Sequence, residues 1–144
     1  MNKTTLIKSF TFDAAHRLSF YDGPCSNLHG HTYKLEIYLS GQLDSQGMIL
    51  DFNKLKDIYQ KTIKPFFDHK SILFVKDSIN LKIFKDSPEE KDWISWVNYN
   101  PTVENMASDI LVRLSKKMRK LSIRIIKVRL WETPTSSAEL YGER

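Results

Sequence analysis

Apolar and polar residues alternate along two stretches near the N-terminus, residues 5–13 and 32–40. The apolar positions are Leu6, Phe10 and Phe12 in the first stretch and Tyr33, Leu35, Ile37 and Leu39 in the second. A period of two is typical of a strand that buries one face. Because Gly23, Pro24 and Gly30 lie in the connection, we predict that the two strands form a wide hairpin.

Two later stretches have the 3.6-residue period of amphipathic helices. The first begins at Asp51, whose side chain can cap it, and ends before Pro65. The second opens at 100–102, Asn-Pro-Thr, which offers a capping side chain and a proline suited to the first turn. The apolar positions are Phe52, Leu55, Ile58 and Tyr59 in the first helix and Val103, Met106, Ala107, Ile110, Leu111, Leu114 and Met118 in the second.

Strand character returns at residues 123–132, which are rich in Ile and Val, and residues 137–142 are predicted to form a short final strand. The order strand, strand, helix, helix, strand, strand predicts an α+β fold, a four-stranded antiparallel sheet with two helices on one face. We expect a single domain over residues 1–144 with an irregular insertion at about 70–99. Within this insertion, the apolar runs on either side of residues 76–78 could form a small hairpin.

Composition agrees with a globular protein, at 41% hydrophobic and 12% aromatic residues in 144. A single cysteine, Cys25, excludes a disulfide within the chain. No apolar run approaches the roughly 20 residues of a membrane span, and the N-terminus lacks the apolar core of a signal peptide. We therefore expect a cytoplasmic protein without a membrane partner.

The chain is basic, with a formal net charge of +5. A local cluster comprises Lys116, Lys117, Arg119, Lys120, Arg124, Lys127 and Arg129. It could mark a nucleic-acid surface, or it could be a solvated helix end followed by the outer face of a strand. We favour the second interpretation and expect no nucleic-acid partner, because no aromatic residues are interleaved as a stacking platform requires. A positive field would also attract a small polyanionic substrate.

Three histidines are positioned to converge. His29 and His31 are two residues apart, so on a strand they share a face, and His16 lies at the exit of the preceding strand. In an antiparallel hairpin these places are neighbours, which predicts a site for one metal ion with three imidazole ligands. Zinc suits imidazole ligation best, although iron, nickel or copper are open. The alternative is three unrelated histidines.

Three further positions carry candidate chemistry. Cys25, four residues before His29, is either a reactive thiol or a small buried hydrophobe. Asp68 and His69 resemble the carboxylate–imidazole pair of catalytic relays, although a capping role is equally open. Glu132 ends a strand on its apolar face, where it could accept two parallel N–H bonds from a planar amidine-like edge or form an ion pair.

Six motifs occur in register along most of the chain. They are Phe12-x-Ala14-Ala15-His16-Arg17-Leu18, Cys25-x-x-x-His29-Gly30-His31-x-Tyr33, Gly47-Met48-x-x-Asp51-Phe52, Asp68-His69, Asn100-Pro101-Thr102-x-Glu104-Asn105 and Glu132-Thr133. Together they resemble the 6-pyruvoyl-tetrahydropterin synthase family. The three-residue gap between Cys25 and His29 resembles its 6-carboxy-tetrahydropterin synthase branch, which makes a precursor of queuosine.

This resemblance implies the tunnelling fold, in which subunits join their sheets into a barrel, usually as a hexamer built from two trimers. It implies Zn²⁺ on His16, His29 and His31, with active sites between subunits. The substrate would be 7,8-dihydroneopterin triphosphate. The products would be 6-carboxy-tetrahydropterin, acetaldehyde and triphosphate.

The resemblance also implies roles for the remaining candidates. Cys25 would be the proton-abstracting base, and Asp68 and His69 would handle the second proton. Glu132 would anchor the pterin and could join the relay, and Thr102 would be a further pterin contact. Two alternatives stay open: the pyruvoyl-forming synthase, and a noncatalytic module that binds a pterin or a metal.

Overall fold

Eleven helices and strands are present in the computed structural model, which describes residues 4–86 and 90–143. The strands are β1 (Leu6–His16), β2 (His29–Ser40), β3 (Lys70–Phe74), β4 (Ile94–Val97), β5 (Arg124–Thr133) and β6 (Ser136–Tyr141). The α-helices are α1 (Phe52–Thr62), α2 (Lys64–Phe67), α3 (Ser78–Phe84), α4 (Glu90–Trp93) and α5 (Val103–Met118). Among the described residues, no helix is long and apolar enough to cross a membrane.

All six strands belong to one mixed sheet with the order β4-β3-β1-β2-β5-β6. The pairs β1–β2, β2–β5 and β5–β6 are antiparallel, as predicted, whereas β1–β3 and β3–β4 are parallel. The α+β class is therefore confirmed, but the predicted four-stranded antiparallel sheet is wrong. The two added strands are only five and four residues long, too short for a periodic pattern to reveal them.

The stretch 70–99 is regular where it is described, contrary to the expected irregular insertion. The predicted hairpin is also wrong, because only its first arm is a strand and the second is the helix α3. Asp77 begins this helix by accepting a hydrogen bond from the backbone N–H of Ile79 at 2.8 Å. The chain then returns so that β4 lies parallel to β3.

The helices pack on one face of the sheet, as predicted. The inner face of β2 is fully buried through Tyr33, Leu35, Ile37 and Leu39. It shares one apolar core with the buried side of α5, formed by Met106, Ala107, Ile110, Leu114 and Met118. Burying a large apolar side chain contributes about 1.5–3 kcal/mol, so this layer dominates the stability of the fold.

Both helices begin near the residues that the sequence predicted, and both have a capping side chain. Asp51 caps α1 through a 2.7 Å hydrogen bond from the Asn53 N–H. Thr102, rather than Asn100, caps α5, accepting from the Asn105 N–H at 3.3 Å. The side chain of Asn100 is thus free to bind elsewhere in the fold.

The basic cluster includes cations on the outer side of β5 that already have partners. Lys127 donates to the Glu139 carboxylate at 2.8 Å, and the Arg129 guanidinium lies 3.9 Å above the Trp131 ring. These two cations thus have partners within the sheet, and Arg129 lies against an aromatic ring that the sequence interpretation did not anticipate.

Candidate metal centre and active site

The hairpin of β1 and β2 brings the three histidines together. Its register pairs His16 with His29 and Ala14 with His31. Because residues two apart on a strand share a face, all three rings project toward the side that the helices cover. Gly30 lies between two of them, where an added Cβ would come within 3.0 Å of the Ala14 carbonyl oxygen. A small residue is therefore required at that position.

Backbone carbonyls orient two of the three rings. His16, only 1% exposed, donates from Nδ1 to the Pro101 carbonyl at 2.7 Å. His29 donates from Nδ1 to the Asn27 carbonyl at 2.8 Å. A carbonyl oxygen can only accept, so the proton of each neutral ring is on Nδ1 and its Nε2 carries a lone pair. Metal-binding histidines are oriented by contacts of this kind.

The free nitrogens then converge on one point. Nε2 of His16 lies 3.2 Å from Nε2 of His29, and one ring nitrogen from each of the three histidines lies within 4.8 Å of the others. Two ligands about 2.1 Å from one zinc ion at a tetrahedral angle would be roughly 3.4 Å apart. Nε2 of His31 is buried and lacks a hydrogen-bond partner among the described residues. The residues present therefore fit a zinc ion.

Burial favours the neutral form of two of these rings, those of His16 and His31. Burial lowers the pKa of His16, and the Pro101 carbonyl and the Glu132 carboxylate offset this only in part. Burial likewise lowers the pKa of His31. Neutral imidazole is the form that binds a metal, so the burial of these rings favours the ligand state near neutral pH.

Glu132 extends from the end of β5 into the same cluster. Its two carboxylate oxygens lie 3.8 Å from Nε2 of His16 and 3.8 Å from Nε2 of His31. Its strand has an irregular register between Trp131 and Thr133. The spacing along β5 predicted the buried direction of this side chain but not its approach to the histidines. The carboxylate is only partly exposed and has lone pairs free to accept further N–H groups.

Cys25 lies in a short 3₁₀ turn, Pro24–Ser26, and is half-buried. Its carbonyl accepts from the Leu18 N–H at 2.9 Å, so the turn is tied to the segment just after His16. Among the described residues, the thiol is not part of the ligand group that the histidines form.

Asp68 and His69 form the expected pair, but they are on the other face of the sheet. His69 Nδ1 lies 2.9 Å from Asp68 Oδ1, and one polar atom from each residue lies within 4.8 Å of the Asp13 carboxylate. Along β1, Asp13 is exposed while its neighbours in the alternation, Ala14 and Phe12, are buried. The pair therefore lies opposite the histidine cluster.

The main chain braces this pair in an unusual conformation. His69 has φ +57°, in the left-handed region, and its N–H donates to the Asp13 carbonyl at 2.6 Å. The Asp13 N–H donates back to Asp68 Oδ1 at 3.2 Å. The His69 side chain is 78% exposed at the edge of an open groove of about 480 Å³. An exposed imidazole held this way can reach a group outside its own chain.

Thr102 follows directly after Pro101 in the chain. Its hydroxyl caps α5, while the neighbouring Pro101 carbonyl holds His16. Sequence reasoning missed Pro101, Asn27 and Asp13, because they act through backbone atoms or through strand pairing. Pro101 is 85 residues from its partner, a separation at which no local pattern signals a contact.

A family model described as 6-pyruvoyl tetrahydropterin synthase matches residues 5–143. The chain belongs to this family. A curated relative from Haemophilus influenzae, named 6-carboxy-5,6,7,8-tetrahydropterin synthase, is 40% identical over 92% of this chain and 94% of its own length. A relative of the same name from Aquifex aeolicus is 32% identical over 98% of this chain and 99% of its own length. The resemblance expected from the six motifs is thus confirmed.

Solved structures support the fold of this 6-pyruvoyl tetrahydropterin synthase family member. An uncharacterized protein from Wolinella succinogenes has a TM-score of 0.87 at 23% identity, over 99% of this chain and 100% of that one. The 6-pyruvoyl tetrahydropterin synthase of Caenorhabditis elegans has a TM-score of 0.71 at 28% identity, over 99% and 98% of the two chains. The likeness therefore spans the whole sheet and its helices.

Proposed function

We propose that this protein is a zinc-dependent 6-carboxy-5,6,7,8-tetrahydropterin synthase, a carbon–oxygen lyase. It converts 7,8-dihydroneopterin triphosphate and water to 6-carboxy-tetrahydropterin, acetaldehyde and triphosphate, a step in queuosine biosynthesis. The observation that carries the proposal is the meeting of unprotonated Nε2 atoms of His16 and His29 at 3.2 Å. Two lone pairs at that distance repel unless a cation lies between them.

His16, His29 and His31 would hold the zinc, leaving a fourth position for substrate. When bound, zinc would polarise the side-chain hydroxyls of the substrate and acidify its neighbouring protons. Cys25 would then remove a proton as the base, from a turn tied to the segment after His16. Glu132 would accept two N–H groups from the guanidine-like edge of the pterin, which fixes the substrate beside the histidines.

Asp68 and His69 would move the second proton. Because Nδ1 of His69 bonds to the Asp68 carboxylate, Nε2 of that ring is the atom free to exchange a proton. The carboxylate orients the ring and stabilises its charged form during transfer. The ring is 78% exposed, so this nitrogen is accessible from solvent.

A homo-oligomer follows from where these groups lie. The pair Asp68–His69 and the histidine cluster are on opposite faces of one sheet, so both reach one substrate only if two copies of the chain contribute. Within the described residues, β6 pairs only with β5, and β3 covers β1 only at Ala14–His16. These open edges can extend the sheet into a neighbouring copy, as a barrel in a hexamer of two trimers would require.

The alternative product is 6-pyruvoyl-tetrahydropterin, formed by elimination of triphosphate without side-chain cleavage. It is favoured by the description of the family model and by the structure from Caenorhabditis elegans. The names of the relatives from Haemophilus influenzae and Aquifex aeolicus favour the carboxy product. We give those relatives more weight because they are more similar in sequence.

Product analysis separates these functions. The purified protein is incubated with 7,8-dihydroneopterin triphosphate and zinc, and pterins and volatile aldehydes are measured. We expect 6-carboxy-tetrahydropterin together with acetaldehyde. A pyruvoyl-pterin without acetaldehyde would favour the alternative, and no turnover with any divalent metal would contradict both and support a noncatalytic binding module.

Cys25→Ala tests the base. Turnover should fall by at least about 100-fold, the usual contribution of proton transfer, because no other thiol exists in the chain. The zinc content should remain near one ion per chain, since Cys25 is outside the ligand group. Metal analysis on the purified variant checks this, with His29→Ala as the control that loses zinc. Loss of zinc from Cys25→Ala would instead mean that the thiol is a ligand.

A further inference from the structure

The segment directly after the ligand His16 is held from two sides by polar groups that are partly or fully buried. It comprises residues 17–19 and connects β1 to the turn that carries Cys25. One side is Asn100, which precedes α5, and the other is the start of α3. None of these contacts touches the candidate substrate groups directly, so they have no part in the chemistry proposed above.

Asn100 binds Ser19 in both directions. Its Oδ1 accepts from the Ser19 N–H at 2.8 Å, and its Nδ2 donates to the Ser19 carbonyl at 3.0 Å. The Asn100 carbonyl accepts from the Thr102 N–H at 2.8 Å. The next residue, Pro101, supplies the carbonyl that holds Nδ1 of His16. His16, Ser19, Asn100 and Pro101 therefore form a closed ring of covalent and hydrogen-bonded links.

Asp77 and Asn80 hold Arg17 on the other side. The Arg17 guanidinium donates from Nη1 to the Asp77 carboxylate and, at 3.2 Å, to Oδ1 of Asn80. Both acceptors are almost fully buried, and the Asn80 amide donates in turn to the Phe74 carbonyl at 3.1 Å. Asp77 and Asn80 each make two hydrogen bonds here, so the loss of either side chain would be costly.

We propose that Asn100 and Asp77 are positioning residues for the metal site, acting through His16. This inference rests on the proposed zinc function. Asn100 keeps the Pro101 carbonyl in place against Nδ1 of His16, which selects the tautomer with a free Nε2. Asp77 fixes the side chain of Arg17, the residue next to the ligand, and thereby the end of β1. The helix α3 is thus the element through which the stretch 70–99 supports the site.

Two measurements test the proposal. Zinc dissociation constants are obtained by competition with a chromophoric chelator, and the tautomer of His16 is read from ¹⁵N shifts of its ring in the metal-free protein. Asn100→Ala and Asp77→Asn should each weaken zinc binding by about 10-fold or more, the usual effect of losing an orienting contact. Asn100→Asp, which keeps the acceptor and loses the donor, should give an intermediate affinity.

Matched controls separate positioning from folding. Asp51→Asn makes the same change of charge at another aspartate that caps a helix, α1. Asn98→Ala changes an exposed asparagine two residues before Asn100. Both controls should keep the wild-type zinc affinity and the wild-type tautomer of His16. In Asn100→Ala the ring should instead populate both tautomers.

The outcomes distinguish this inference from the proposed function. Wild-type zinc affinity in Asn100→Ala and Asp77→Asn, with only a lower melting temperature, would overturn the positioning roles and leave the metal site standing. Absence of zinc binding in the unmodified protein would overturn the metal site itself. The tautomer measurement needs no metal, so it tests the role of Asn100 even if the protein binds no zinc. An unchanged His16 tautomer in Asn100→Ala would overturn the positioning role of Asn100.

Discussion

Single buried polar residues carry much of the specificity of this protein through the partners that they bind. His16 gives one ring nitrogen to the Pro101 carbonyl and keeps the other free. Asp77 uses one carboxylate oxygen for the Ile79 N–H and the other for Arg17. Because an unmatched buried polar group costs about 1–3 kcal/mol, changes at these residues should affect stability as well as chemistry.

The charge on Asp77 should make stability depend on acid pH. Burial alone would raise the pKa of its carboxyl, but the Ser19 side chain, the Ile79 N–H and the Arg17 guanidinium together hold that pKa below its ordinary value. The unfolded chain therefore takes up the proton first. The stabilisation is complete above about pH 4, the unfolded pKa, and is lost as the pH falls through the lower folded pKa.

Asp77→Asn removes this contribution. The variant should be less stable than the wild type at pH 7 by on the order of 2 kcal/mol, and the difference should shrink below about pH 4. Urea unfolding followed by circular dichroism from pH 7 to pH 2 measures it. A difference that stays constant over the whole range would show that the charge of Asp77 is not the source of its effect.

Site residues could be predicted from the sequence where they follow strand periodicity. The spacing of His29 and His31, with His16 at the end of the preceding strand, was enough to predict their convergence. The orienting carbonyls of Asn27 and Pro101 were not predictable, because every residue has a carbonyl and only the fold selects which one a ring meets. The position of Asp68 and His69 on the opposite face was also not predictable, because it depends on how the chain folds and not on local spacing.

At the level of elements, prediction followed the length and regularity of the apolar pattern. The 16 residues of α5 repeat their buried positions over four turns, which makes the helix unmistakable. In α3 the pattern is inverted: Ile79 and Ile83 are 49% and 61% exposed, and the fully buried position is Asn80. A seven-residue helix with apolar groups outside resembles a strand in sequence, which explains the wrong hairpin.

The buried side of α5 should be the part of the helix that matters for folding. Leu114 is fully buried in the core, so Leu114→Ala should lower the free energy of unfolding by about 2–5 kcal/mol. Val112→Ala, at a position of the same helix that is 51% exposed, should change it by less than about 0.5 kcal/mol. Chemical denaturation of both variants checks this, and equal losses would mean that the packing of α5 differs from the one described.

At the scale of the whole molecule, the two faces of the sheet carry different sets of candidate site residues. The helix-covered side has the histidines and Glu132, and the open side has Asp13, Asp68 and His69. No rearrangement of side chains alone can bring both sets to one small substrate, because the backbone of β1 and β2 lies between them. The arrangement instead favours a site completed by a neighbouring copy.

Mixing two inactive variants tests this directly. Glu132→Gln disables the histidine side and His69→Ala the open side, so each alone should be inactive. If each site takes one side from each of two copies, co-expressed variants form some sites with both sides intact, about a quarter of them for random assembly. Activity should therefore return to roughly that fraction of the wild-type level.

The control pair, Asp68→Asn with His69→Ala, damages the same side twice and should remain inactive. Failure of the first pair to recover, although the two chains co-purify, would mean that each copy works alone.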